Sequence, residues 1–155
     1  MTTTNTPTTD RTESDELLES MPHRPPMRLI SQVISASEQK AVCRIIVGDN
    51  NIPGFDETPI HWSIGIEDMA QSTALVRGAS SANRRSGMVV SVREVHCGQA
   101  GFIKGEALDA TATLDSRTLE AALFRCALVR TLTGETLMSA KIAVACRQES
   151  GSSAR

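Results

Sequence analysis

Glu67 and Gln71 place an acid and an amide one helical turn apart, inside the stretch "HWSIGIEDMAQSTALVRG" at residues 61–78. Positions i and i+4 project from the same side of a helix, so the amide can hydrogen-bond the carboxyl group and fix its direction. Around them Ile64, Ile66, Met69, Ala70, Thr73, Ala74, Leu75 and Val76 make nearly the whole circumference apolar. That pattern predicts a helix enclosed by protein rather than one lying on a surface. An enclosed carboxylate costs on the order of several kcal/mol unless it is paired, so packing alone does not account for Glu67. Burial favours the neutral, proton-carrying form that a general acid needs. His61, six residues before Glu67 at the mouth of the helix, is the candidate base beside it. The plain alternative is an acid satisfied by Gln71 or by a helix-start N–H, with no chemistry.

The remaining polar residues are weaker candidates. His23 sits in the proline-bracketed "MPHRPPM", where a structural hydrogen bond is the expected role, and His96 near the end of a strand reads as inert. Trp62, the single tryptophan, lines a binding tunnel or staples the preceding loop to the helix. Ser63 is the expected N-cap, and Asp68, about 100° around the helix from Glu67, is not expected to share its site. "NRR" at 83–85 is the one locally basic stretch.

The four cysteines, Cys43, Cys97, Cys126 and Cys146, lie far apart in apolar, strand-like contexts and are expected to be buried reduced thiols. No CxxC or HxxxH spacing occurs, so no metal site is expected. A net charge of -2 with scattered basic residues, and 3% aromatic content, argue against nucleic-acid binding. No apolar run approaches the roughly 20 residues of a membrane-spanning helix, and no signal-peptide pattern opens the chain. A cytoplasmic protein is expected.

These residues need elements to hold them. A chain of 155 residues, 40% hydrophobic and 22% charged, suits one globular domain. Residues 1–18 are Thr-rich and acidic, and 148–155 are equally polar; both are expected to be disordered tails around a domain at 19–147. Within it "LISQVISASE" and "KAVCRIIV" read as strands. A proline- and glycine-containing loop, "GDNNIPGFDETPIHW", leads to a helix running from Ser63 to about Gly78. Four more strand-like runs follow: "GMVVSVREVHC", "FIKGEALDATATL", "TLEAALFRCALVR" and "ETLMSAKIAVACR". The last alternates, with Met138, Ala140, Ile142, Val144 and Cys146 on one face, and "TLTGE" before it carries a hairpin glycine. No helix-length connection separates these strands, so the sheet is expected to be antiparallel. The fold class is α+β: about six antiparallel strands wrapped around one long central helix.

Three stretches resemble the hotdog-fold 3-hydroxyacyl-thioester dehydratases of fatty-acid synthesis, in particular the smaller dehydratase-like subfamily of aryl-polyene biosynthetic clusters. "MPHRPPMRLISQVIS" at 21–35 resembles that family's "LPHRxPMLLLDRV", "GIEDMAQSTAL" at 65–75 resembles its "GxExMAQ", and the closing hairpin is also similar. The resemblance implies a site at a dimer interface, in which an acid on the central helix, matched by Glu67, works with a histidine from the preceding loop. It implies that Gln71 orients Glu67, and that backbone N–H groups around Trp62, Ser63 and Gly65 hold the thioester oxygen. Removal of the α-proton needs a base and loss of the β-hydroxyl as water needs an acid, which explains the residue types. The loop histidine of "GHFPGxPxxPG" has no counterpart: Pro53 or a close neighbour stands there, and only His61 could substitute.

The resemblance thus implies a dehydratase acting on 3-hydroxyacyl groups carried on the phosphopantetheine of acyl-carrier protein or of CoA, in fatty acid or polyene biosynthesis, with no other cofactor. The missing histidine favours an alternative, a catalytically degenerate subunit that partners an active dehydratase. A thioesterase on the same fold is a third reading. A homodimer or higher oligomer, or a hetero-oligomer with another hotdog protein, is expected.

Overall fold

The computed structural model describes residues 10–48, 59–77 and 87–146. In chain order they form α1 (Arg11–Ser20), β1 (Gln32–Ala36), β2 (Lys40–Ile46), β3 (Ile60–His61), α2 (Ile64–Thr73), β4 (Gly87–Cys97), β5 (Gly101–Phe102), β6 (Ala107–Arg117), β7 (Ala121–Arg130) and β8 (Thr136–Cys146). Six of the strands make one antiparallel sheet in the order β1-β2-β6-β7-β8-β4, and β3 pairs with β5 in a separate two-stranded piece. The expected α+β architecture is therefore present.

The sheet curls because of what faces inward. Along β6 and β7 the register sets Ala110 opposite Leu128, Ala112 opposite Cys126 and Leu114 opposite Phe124. Small residues beside large ones leave a trough, and α2 lies in it against β6 and β7, flanked by β2 and β8. Irregularities at Val33/Ser35, Leu114/Ser116 and Val89/Ser91 add the local bend that bulges impose on a strand. The inward face of β8 is the expected one: Met138, Ala140 and Ile142 are buried and Val144 packs against them.

Gly65 lets the helix come this close. A Cβ there would meet Met138 Sδ at 2.5 Å, and Leu128 Cδ2 and Phe102 Cε2 at 3.2 Å each, all three side chains fully enclosed. Gly65→Ala is expected to lower stability by about 1–3 kcal/mol through overpacking, despite the better helix propensity of alanine. Urea denaturation checks this; an unchanged midpoint would show that Met138 yields freely.

Three expectations need correction. The helix is ten residues long rather than running to Gly78: after Thr73 the chain tightens into i+3 turns, with the N–H groups of Leu75 and Val76 donating to the carbonyls of Ser72 and Thr73. Gly78 itself lies outside the described residues. Ser63 makes no side-chain capping bond, since its backbone is already helical. The opening read as disordered through residue 18 is instead helical from Arg11, capped by Asp10, whose carboxylate accepts from the Arg11 N–H at 2.7 Å. Composition misled there because two residues one turn apart anchor α1. Leu18 enters the core, and the buried Ser14 hydroxyl accepts from the Val33 N–H at 2.9 Å, occupying the outer edge of β1. A Glu13–Arg77 ion pair ties α1 to the far end of α2. Residues 1–9 and the tail at 148–155 lie outside the described residues, as do the "NRR" turn and the loop containing Pro53.

Candidate active site

The Glu67–Gln71 pair read from helical spacing is present. Gln71 Nε2 donates to Glu67 Oε1 at 2.9 Å. The same amide does more than the spacing indicated. Its Nε2 also donates to the Met27 carbonyl at 2.8 Å, and its Oε1 accepts from the Leu29 N–H at 2.8 Å. Gln71, 1% exposed, therefore pins the proline-containing segment before β1 onto α2 in the manner of a strand partner, and aims the carboxyl with the hydrogen that remains.

Replacing it with the similarly sized leucine would strand the Leu29 N–H and the Met27 carbonyl. Gln71→Leu is expected to cost about 2–4 kcal/mol, the sum of two unsatisfied polar groups. A chemical-denaturation series reads this directly, and a loss below about 0.5 kcal/mol would mean that water takes over both bonds.

Glu67 itself is not buried. Its side chain is 51% exposed, whereas the neighbouring Asp68 is 2% exposed. The enclosure expected for Glu67 falls on Asp68, whose carboxyl is pushed up to about 8, first by burial and second by the charge of Glu67. The two acids face different surroundings, as their angular separation required, yet they sense each other electrostatically. The all-round apolar helix thus leaves one side open: Ser63, Glu67 and Ala74 are exposed and Ala70 is half-buried.

Within one chain, His61 makes its contacts among the described residues to Ser63 and Trp62 rather than to Glu67. Its Nδ1 lies 2.8 Å from Ser63 Oγ and accepts from the Ser63 N–H at 3.3 Å, and its ring leans against Trp62 at a centroid distance of 5.3 Å. The imidazole that does face the acid is His23, with Nε2 3.9 Å from Glu67 Oε1. The structural hydrogen bond expected of His23 is absent among the described residues, and its Nδ1 is buried without a partner. Nothing in the sequence linked His23 to Glu67, because the contact depends on how the segment from Met21 to Ile30 folds back. Arg24 shapes that turn, donating from Nη1 to the Met21 carbonyl at 2.6 Å while its own carbonyl accepts from the Met27 N–H at 2.9 Å.

The helix-start donors expected to hold a thioester oxygen are mostly engaged. The Trp62 N–H donates to the Ala100 carbonyl, that of Ser63 to His61 Nδ1 and that of Gly65 to the Trp62 carbonyl. Trp62 is half-buried and packs on the core. Gly65 contributes space rather than a donor.

Of the thiols, Cys43 and Cys126 are buried and both are pushed up to about 12, chiefly by burial, and Cys97 is half-buried. All three are free, and Cys97 departs from the burial expected of it. The side chain of Cys146 lies outside the description. No helix among the described residues is long and apolar enough to cross a membrane.

The sequence profile of a family described as ApeP-like, ApeP dehydratase, matches residues 16–154. The chain belongs to the ApeP-like dehydratase family. Its fold is similar to the dehydratase heterocomplex ApeI:P of Xenorhabdus doucetiae, with a TM-score of 0.71 and 23% identity over 86% of this chain and 91% of that one. It is also similar to the E. coli PaaI protein of the phenylacetic acid degradation operon, at a TM-score of 0.56 and 16% identity over 73% and 80% of the two chains. A thioesterase protein from Streptococcus pneumoniae, determined with coenzyme A, matches at a TM-score of 0.56 and 10% identity over 74% and 84%. At such identities these structures speak for the hotdog fold alone. A search of curated protein sequences finds no match. Membership of the ApeP-like family agrees with the resemblance carried by "MPHRPPM" and "GIEDMAQ", and the ApeP-like chain described here keeps the helix acid and its glutamine in bonded contact.

Proposed function

We propose that this chain is a 3-hydroxyacyl-thioester dehydratase, or the dehydratase-like half of one, with the acyl group carried on the phosphopantetheine of acyl-carrier protein or CoA. The observation that supports this best is the Glu67 carboxyl, held by Gln71 at the open side of a central helix and left accessible for a ligand. In the elimination, Glu67 gives its proton to the departing β-hydroxyl. When an acyl chain covers that open side it removes water from the carboxyl group and strengthens every interaction around it.

The open side of α2 and the edge of the sheet support work as an oligomer. Among the described residues β4 is an edge strand bonded only to β8, and it exposes Met88, Val89, Val90 and Val95. An unpaired edge bearing apolar side chains is a pairing surface. Light scattering is expected to give a mass of two chains or more, and Val90→Lys to lower that mass; a wild-type monomer at micromolar concentration would remove the oligomer from the proposal.

The second reading is the degenerate subunit. It is favoured by the sequence at 49–58, which holds no histidine, and by the heterocomplex found for the similar ApeI:P structure. Hydration of a short 2-enoyl thioester, on CoA and on carrier protein, decides between them. A rate from the purified chain supports the dehydratase. A rate appearing only when a second hotdog dehydratase is added supports the subunit. Release of free thiol instead would replace both with a thioesterase.

A further inference from the structure

His23 is a poor structural residue and a well-placed chemical one. Neither of its ring nitrogens makes a hydrogen bond among the described residues, and the buried Nδ1 is orphaned, a cost that packing alone does not require. Its Nε2 end is the open end: the side chain is 33% exposed and points towards the half-exposed carboxyl of Glu67.

We propose that His23 is the second proton-transfer group of this site, working opposite Glu67 on the 3-hydroxyacyl thioester and replacing the loop histidine that the sequence lacks. The proposal rests on the dehydratase reading above. A separation of 3.9 Å between Nε2 and Oε1 is too long for a direct hydrogen bond. It is short enough for one oxygen atom to sit at about 2.8 Å from both groups at once. The β-hydroxyl of the substrate, and then the water it becomes, fits that place.

The step balances with these two groups alone. His23 Nε2, as the neutral imidazole, takes the α-proton, and the electron pair of the Cα–H bond becomes the second Cα–Cβ bond. The Cβ–O bond breaks, and the Glu67 carboxyl proton passes to the departing oxygen, giving water and a 2-enoyl thioester. His23 is left protonated and Glu67 ionised. The product water spanning the gap returns the proton from Nε2 to the carboxylate, and the site is reset. Gln71 fixes both partners, since it holds Glu67 directly and holds the His23 segment through Met27 and Leu29.

The chain contains three histidines, so ring-nitrogen NMR of histidine-labelled full-length protein is readable. Addition of the amide analogue of 3-hydroxybutyryl-pantetheine is expected to shift the His23 ring signals. Shifts confined to His61, or none at His23, would overturn the assignment without any variant being made. In the enoyl-thioester assay His23→Gln is expected to lower kcat about 100-fold while KM stays within about threefold. A wild-type rate that survives in His23→Gln removes His23 alone. A wild-type chain inactive in every mixture removes the dehydratase reading and this step with it.

Discussion

Glu67→Gln is expected to slow hydration of a 2-enoyl thioester severely while leaving the fold intact. The substituted amide keeps an oxygen where Glu67 Oε1 accepts from Gln71, so the bond that aims the side chain survives and only the exchangeable proton is lost. The expected fall in rate is about 10²–10⁴-fold, the usual contribution of a positioned acid or base. That corresponds to about 3–5 kcal/mol of transition-state stabilisation. Stability should stay within about 0.5 kcal/mol, because the side chain is half exposed and its one other contact, to His23 at 3.9 Å, is a long, part-exposed ion pair worth little. The assay is run on the chain alone and with an active hotdog dehydratase, so a subunit that contributes Glu67 to a shared site is caught as well. A variant that retains the wild-type rate in both settings takes Glu67 out of the chemistry.

Asp68 gives the second large effect, and it concerns stability rather than rate. Its carboxyl is raised from 3.8 to about 8 by burial and by Glu67. Between those values the unfolded chain has given up the proton and the folded chain still holds it. Stability therefore falls as pH rises through the window from about 4 to about 8, and the contribution is fully present only below it. One proton accounts for at most about 1.4 kcal/mol per pH unit. Urea midpoints taken at pH 5, 6, 7 and 8 at one protein concentration should decline in the wild type and decline much less in Asp68→Asn. Parallel curves would show that Asp68 finds a partner that stabilises its charge.

How legible all this was follows from the distance over which each cause acts. The pairing of Glu67 with Gln71 is a property of helical spacing, and the alternation along β8 is a property of the pleat; both act within a few residues and were visible. The exposure of Glu67 was not. An apolar ring around α2 says that the helix is covered but not on which side the cover stops. Asp68 took the burial assigned to its neighbour because the trough formed by Ala110, Ala112 and their large partners receives the side of α2 carrying Gly65 and Asp68. The approach of His23 to Glu67 depends on three bonds of Gln71 and the Arg24 turn, none of which leaves a periodic trace. Helix α1 was hidden by its composition, since two anchoring residues are too few to register as an apolar pattern.

The anchoring of α1 also bears on arithmetic. A sheet with two free edges can add copies without end, as fibres do. Here the Ser14 hydroxyl occupies the outward N–H of Val33 on β1, whereas β4 at the other edge pairs with β8 alone among the described residues. With a single adhesive edge, growth is expected to stop after one union: two chains would meet, each using up the other's vacancy, with no valence left for a third. The same polar helix that looks dispensable in the sequence is thus expected to act as a terminator. Deleting residues 10–20 should convert a population of uniform size into an open-ended series, visible as a rising, concentration-dependent mass.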